Sequence, residues 1–242
     1  MPQIKNNIND IIKIKNAGVN SAELYFYGDI VSDSWSAWTD EDQYPDNIKN
    51  LLKEHEGKNL DIYINSGGGS VFAGIAIYNI LKRHSGYKTV HVDGIAASIA
   101  SVIALAGDRV IIPKNAFLMI HKPWSHCTGN ANDYRKEAEV LDTVEQSILN
   151  IYEEHLLEGV IRDTIAEMIN EETWLTGEQA AAYFDIEVSD EIQIAACTDL
   201  SGFKNAPHNI KVKAVHSRDH KKNAVTAAKI KKLCISASTK GV

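Results

Sequence analysis

Short runs of β-branched and aromatic residues alternate with amphipathic stretches through the first hundred positions of this chain. Ala22-Glu23-Leu24-Tyr25-Phe26-Tyr27-Gly28 reads as a first strand closed by a turn glycine. Pro45 to His55 places Ile48, Leu51 and Leu52 on one helical face and ends before Gly57. Leu60-Asp61-Ile62-Tyr63-Ile64 is the next strand, and Asn65-Ser66-Gly67-Gly68-Gly69-Ser70 breaks it. Val71 to Arg83 then has apolar residues at helical spacing, and Thr89-Val90-His91-Val92 follows as a third strand. Consecutive strands joined through helices lie parallel, because a parallel pair needs a crossover connection. The pattern therefore specifies an α/β fold built on a parallel sheet.

The same rhythm continues downstream. Arg109-Val110-Ile111-Ile112 and Phe117-Leu118-Met119-Ile120 are two further short strands, the second delivering His121 at its end. Asn132 to Leu157 predicts a long amphipathic helix with Tyr134, Ala138, Leu141, Val144, Ile148 and Tyr152 near one stripe. Ile161 to Ile169 and Thr176 to Tyr183 predict shorter helices, and Ile186 to Ala195 a last strand. The 242 residues suffice for one substantial α/β domain with appendages. We divide them into an N-terminal arm at 1–20, a domain at 21–200 and a basic tail at 201–242.

Charge separates the tail from the rest. Residues 204–242 hold ten Lys or Arg and one acid, a balance of +9, which leaves −16 on residues 1–203 of a chain whose net charge is −7. The tail lacks aromatic interleaving, so a solvated extension is expected rather than a nucleic-acid surface. Met1 to Asn7 has no apolar core of a signal peptide, and Ile95 to Gly107 is too short to span a bilayer. A cytoplasmic location is the expectation. Cys127, Cys197 and Cys234 are odd in number and far apart, which suits reduced thiols and offers no metal-ligand spacing.

Three stretches carry residues suited to chemistry. Gly94-Ile95-Ala96-Ala97-Ser98-Ile99-Ala100-Ser101 puts a hydroxyl where a strand turns into a buried helix. Small neighbours allow a tight turn and close approach of a substrate, and a helix N-terminus offers free N–H groups to developing negative charge. The same small residues also suit close helix packing. Met119-Ile120-His121-Lys122-Pro123 supplies an imidazole, the usual base for activating a hydroxyl near pH 7. The Gly67-Gly68-Gly69 turn could present backbone N–H groups to an oxyanion, cradle a phosphate, or simply turn the chain. It lacks the Lys and Ser/Thr of a P-loop. Turns that follow parallel strands gather at one sheet edge, so the three stretches are expected to converge.

Taken together, Ile64 to Val71, Gly94 to Ser98 and Met119 to Pro123 resemble, in order and spacing, the three motifs of the ClpP family of serine peptidases. The resemblance runs from about Glu23 to about Ile192. It is closest to the phage and prophage branch, the ClpP-related head maturation proteases, through Val71 to Asn79, Val92-Asp93-Gly94 and Glu172-Thr173-Trp174-Leu175-Thr176. The resemblance implies a repeated ββα crossover sheet, shared in outline with crotonases, with the helix from Asn132 as a protruding handle. It implies Ser98 as nucleophile, His121 as general base and the N–H groups of Gly68 and Ile99 as the oxyanion hole. It further implies polypeptide substrates, capsid or scaffold proteins in the phage branch, and a homo-oligomeric ring, commonly heptameric and often stacked in pairs. An ATPase unfoldase is a possible partner by the same resemblance, and no cofactor or metal is implied.

The chain departs from the family pattern at three points. Gly67 stands where the family's turn has Pro, Phe184 stands where it has Gly, and Glu172 stands where cellular members have the Asp of the triad. Glu172 is the expected third member, with Glu171 and Asp185 as substitutes. Two decoys are set aside: Ser101, one turn into the helix and expected to be packed, and the adjacent pair His126-Cys127, whose side chains do not converge on one atom. Competing functions are a housekeeping proteolytic subunit fed by an ATPase unfoldase, a crotonase-like acyl-CoA enzyme, which would not need the Ser98 and His121 pair, and a non-catalytic structural ring protein retaining the fold.

Overall fold

The computed structural model describes residues 20–39, 41–191, 200 and 202–207. Residues 1–19 of the N-terminal arm, most of the basic tail and residues 192–195 of the strand expected to end at Ala195 lie outside the described residues. The elements run β1 (Ser21–Phe26), α1 (Pro45–Glu54), β2 (Asn59–Ser66), α2 (Val71–Arg83), β3 (Lys88–Ala97), α3 (Ile99–Ala104), β4 (Arg109–Pro113) and β5 (Phe117–Ile120). They continue with α4 (Ala131–Glu153), α5 (Arg162–Asn170), β6 (Thr173–Thr176), α6 (Gly177–Ala180) and β7 (Glu187–Ser189).

The seven strands among the described residues form one sheet, in the order β1-β2-β3-β4-β7 with β5 and β6 branching from β3. Every pairing is parallel except β5 with β6. The branch comes from the length of β3. Its first half pairs with β4 from Thr89↔Arg109 to His91↔Ile111, and its second half pairs with β5 from Ile95↔Phe117 to Ala97↔Met119. A register shift between Ile64 and Ser66 on β2 accompanies the change. The second half of β3, Gly94 to Ala97, is buried throughout, so strand periodicity gives no alternation there. That is why the sequence suggests a strand ending near Val92.

The core lies between the sheet and the helices α1, α2 and α3, with Ile62, Ile64, Val90, Val92, Ile77, Leu81, Val102 and Ile103 fully buried. The residues of α3 are all buried, as the apolar run through Gly107 requires. α4 starts on a capping box at Asn130, whose side chain accepts from Asn132 and Asp133 while Asp133 returns a bond to the Asn130 N–H. Only Val144, Ile148, Leu149 and Tyr152 of this helix are buried. Its expected stripe therefore covers the core along the C-terminal half alone, and Tyr134 stays 55% exposed.

Three expectations change. Thr173–Thr176 is an antiparallel strand where the sequence reading places only the start of a helix at Thr176, because Met119↔Trp174 and Leu118↔Leu175 pair it with β5. The helix expected from Thr176 to Tyr183 shortens to α6, capped by Thr176 and Gln179. Residues 202–207, assigned to the tail, lie against the domain: Phe203 and Ala206 pack on a small cluster formed by Ile95, Ala97, Met119 and Leu200. No helix among the described residues is long and apolar enough to cross a membrane.

Candidate active site

Ser98 follows the last residue of β3, and His121 the last residue of β5, its parallel neighbour. Adjacent parallel strands with Ala97 opposite Met119 bring residues just beyond those positions to one sheet edge. Ser98 N–H donates to the Met119 carbonyl at 2.9 Å, which ties the turn to β5. His121 Nε2 lies 2.8 Å from Ser98 Oγ, within hydrogen-bond reach. The two side chains expected to act together are therefore in contact.

Ser98 holds an unusual backbone, φ 55° and ψ −129°, as the residue preceding α3. A non-glycine residue in this region is strained and persists only where its surroundings impose it. In this conformation the Ser98 hydroxyl meets His121, and both residues line one cleft. Burial lowers the His121 pKa below the ordinary imidazole value, and the nearby Glu172 carboxylate pushes it partly back. His121 is thus neutral near pH 7 and able to accept a proton.

The glycine turn after β2 lies over this pair. Gly68 has φ +95°, and a Cβ there would stand 2.7 Å from the Ala97 carbonyl oxygen, 2.8 Å from Ser98 Cβ and 3.2 Å from Ile99 N. Only glycine allows the turn to approach the serine this closely. Gly68 N–H donates to Ser66 Oγ at 3.1 Å, while Ser66 Oγ donates to the Gly28 carbonyl at 2.7 Å. Gly68 carbonyl in turn accepts from Ile30 N–H at 2.8 Å. Ile99 occupies the first turn of α3, where helical geometry provides no carbonyl for its N–H.

Glu172 reaches the same edge from the turn before β6, but its carboxylate is engaged elsewhere. Asn205 N–H donates to Oε1 at 2.6 Å, Lys204 N–H to Oε2 at 3.1 Å and the Trp174 indole to Oε1 at 3.4 Å. Among the described residues none of its hydrogen bonds comes from His121. Burial would raise the carboxyl pKa, but the N–H groups of Asn205 and Lys204, the indole and His121 outweigh it and hold the group below its ordinary value. Glu172 also has a positive φ of 53°, and Asn205 Nδ2 bonds the Glu171 and Glu172 carbonyls across that strained turn.

The other sequence candidates sit apart. Asp185 N–H bonds the His155 carbonyl, and the Asp185 charge acts on His155 rather than His121. The His126 ring packs edge-on against Trp124, and the Cys127 carbonyl accepts from Tyr134, so the two form no nucleophile–base pair. Ser101 is fully buried, as expected. Residues 203–205 were missed by sequence reasoning. The available signal was that Phe203 is the last aromatic in the chain and directly precedes the basic run that starts at Lys204.

Ser98 and His121 open onto a cleft of about 590 Å³. Its walls are the glycine turn, Val71 and Phe72 of α2, Val140, Leu141 and Val144 of α4, and Phe203. The walls are mainly apolar and open, with Asp29 and Glu137 as their acidic side chains. A strained serine at a helix start, an imidazole on its hydroxyl and backbone N–H groups beside both are the parts of a serine-dependent acyl-transfer site on a parallel α/β sheet.

Comparison with known proteins agrees with that class. The family model described as Clp protease matches residues 29–186. A Chlamydia abortus protein named ATP-dependent Clp protease proteolytic subunit 1 is 31% identical over 186 residues, which cover 74% of this chain and 90% of that protein. A Bacteroides fragilis protein named ATP-dependent Clp protease proteolytic subunit is 33% identical over 130 residues, 52% of this chain and 61% of that protein. A Streptomyces avermitilis protein, named as subunit 1 of the same protease, is 34% identical over 136 residues, 55% of this chain and 61% of that protein. The chain thus spans about three fifths of the length of two of these relatives and nine tenths of the third. It belongs to the Clp protease family, a family of serine-type peptidases.

Proposed function

We propose that this chain is a serine endopeptidase that forms an acyl-enzyme on Ser98. The 2.8 Å contact between His121 Nε2 and Ser98 Oγ carries the reading. Ser98 Oγ attacks the scissile carbonyl carbon as its proton passes to His121 Nε2. The oxyanion of the tetrahedral intermediate is held by Ile99 N–H and by Gly68 N–H, which transfers from Ser66 Oγ or is shared with it. Collapse breaks the C–N bond, His121 protonates the leaving amine, and water repeats the sequence to release the acid. Glu172 stabilises the imidazolium through its charge and takes the place of the triad acid.

The apolar cleft suits an extended polypeptide with an apolar side chain beside the cut. We assign a homo-oligomeric ring from the family, with the exposed first half of α4 as the part available to a facing ring. Processing of capsid or scaffold protein is the substrate reading favoured by the sequence at 71–79, 92–94 and 172–176. The relatives' names supply the second reading, a proteolytic subunit fed by an ATPase. A non-catalytic ring is favoured by one observation only, the diversion of the Glu172 carboxylate to residues 204 and 205.

Intact mass after treatment with a fluorophosphonate tests the proposal. One adduct per chain in the wild type and none in Ser98→Ala or His121→Ala is the expected result. A folded, oligomeric wild type that takes no adduct would overturn the peptidase reading in favour of the non-catalytic ring.

A further inference from the structure

Resting on the serine-peptidase reading above, one hydrogen-bonded chain behind the nucleophile acquires a role. We propose that Ser101 and Tyr152 are positioning residues that aim the Ile99 N–H at the oxyanion, by gripping the carbonyl of Ser98 from the opposite side of the same peptide plane.

The Ser98 carbonyl accepts two hydrogen bonds from a single residue. Ser101 N–H donates at 3.0 Å and Ser101 Oγ at 2.5 Å. A serine hydroxyl has one hydrogen, and here it goes to Ser98. The second contact of Ser101 Oγ, at 2.6 Å to Tyr152 Oη, must therefore have tyrosine as the donor. The direction of the chain is fixed: Tyr152 to Ser101 to Ser98. Ser101 is 0% and Tyr152 2% exposed, so no water competes for these groups.

The peptide bond converts that grip into a direction. In a planar trans peptide the carbonyl and the following N–H point oppositely, so fixing the Ser98 oxygen fixes the Ile99 hydrogen. The plane needs such a constraint, because Ser98 at φ 55° and ψ −129° lies outside the wells that would hold it intrinsically. Ile99 N lies on the side of the glycine turn, 3.2 Å from where a Gly68 Cβ would stand. An oxyanion donor is effective only when its orientation is set before the charge develops. Gly68 N–H is given to Ser66 in this conformation, which leaves the Ile99 donor as the one already oriented.

Tyr152 belongs to α4, the helix whose Val140, Leu141 and Val144 line the cleft. One helix thus forms a wall for the substrate and orients the peptide plane that receives its oxygen. A purely structural role would satisfy the same buried hydroxyls, and the two roles differ in kinetics.

The experiment measures inactivation of the full chain by a fluorophosphonate, separating the maximal rate from the half-saturating concentration, across pH. The variants are Ser101→Ala, Tyr152→Phe and the double variant, which removes both hydroxyls and leaves neither unpaired. Removing an oxyanion donor costs roughly 100- to 1000-fold, so misaiming one is expected to lower the maximal rate on the order of 10- to 100-fold in Ser101→Ala and the double variant. Tyr152→Phe should lose less, because Ser101 still reaches Ser98. Half-saturation and the acid midpoint set by His121 should stay at wild-type values. A folded double variant reacting at the wild-type rate would overturn the assignment, as would a loss that comes with a shifted midpoint. A wild type that does not react overturns the peptidase reading and this assignment with it.

Discussion

The Phe203 ring stands edge-on to His121, with centroids 5.7 Å apart and planes at 70°, and stands edge-on to Trp174 at 5.6 Å. A residue near the start of the segment assigned to the tail thus covers the imidazole paired with Ser98. Burial is the larger cause of the lowered His121 pKa, and the Phe203 ring is one of the groups packed on that imidazole. A chain ending at Ser201 is expected to have a His121 pKa closer to the ordinary value. The base is the neutral form, so the acid limb of Ser98 reactivity should move to higher pH in the shortened chain. The pH dependence of fluorophosphonate labelling, wild type against truncated, measures this.

Glu172→Gln is expected to act in the opposite direction on the same limb. The carboxylate raises the His121 pKa by favouring the imidazolium, so its neutralisation should move the acid limb to lower pH. The maximal rate should fall as well, because the imidazolium formed during attack loses its stabilising charge. A loss of rate on the order of tenfold or more is expected for a group acting through charge rather than through a direct bond. An unchanged limb and rate would remove Glu172 from the mechanism and leave a Ser98 and His121 dyad.

At the glycine turn the expected loss is steric. Gly68→Ala must accommodate a positive φ and contacts of 2.7 Å to the Ala97 oxygen and 2.8 Å to Ser98 Cβ, both atoms fixed by β3 and its turn. The strain should destabilise the chain by about 1–3 kcal/mol. The turn must move off Ser98 to relieve it, so labelling should fall at least about tenfold even in protein that remains folded. Urea unfolding and labelling of the same preparation separate the two effects.

Much of this site is legible in the sequence because parallel topology makes residues at strand ends neighbours. Gly68, Ser98 and His121 each follow a short apolar run, and sheet order alone brings those turns to one edge. Other features depend on contacts that no local pattern encodes. The second half of β3 is buried on both faces, so it lacks the alternation that marks a strand. The strand at Thr173–Thr176 is defined by pairing with β5, not by its own four residues. Glu172 was identifiable by position, but its commitment to Lys204 and Asn205 comes from a segment 32 residues later whose composition suggests a solvated tail. Ser101 reads as packed from its place one turn into a helix and is buried, but its bond to the Ser98 carbonyl depends on the turn that precedes that helix.

The strand that leads into Ser98 begins on a buried charge, which gives a prediction about stability. Lys88, 4% exposed, directs Nζ at Asp108 Oδ2 at 2.8 Å and at the Gly86 and His84 carbonyls at 3.1 and 3.3 Å. Asp108 Oδ2 also accepts the Lys88 N–H at 2.8 Å, pinning the start of β3 to the turn before β4. Burial would raise the Asp108 pKa, but its bonds to Lys88 outweigh that and hold it below the ordinary value. A depressed carboxylate contributes stability above its unfolded pKa of about 3.9 and loses it as pH falls through the folded value. Asp108→Ala should therefore cost roughly 2–3 kcal/mol at pH 7, less than the 3–5 kcal/mol of a fully buried pair because the carboxylate keeps contact with water. It should also flatten the acid side of the stability curve. Lys88→Met in the Asp108→Asn background removes the orphaned ammonium and should recover most of the loss, because the penalty belongs to an unpaired buried charge rather than to the missing pair. Urea denaturation at pH 7 and near pH 4 measures both. A double variant no more stable than Asp108→Ala would show that the cost lies in the backbone bond at the start of β3 instead.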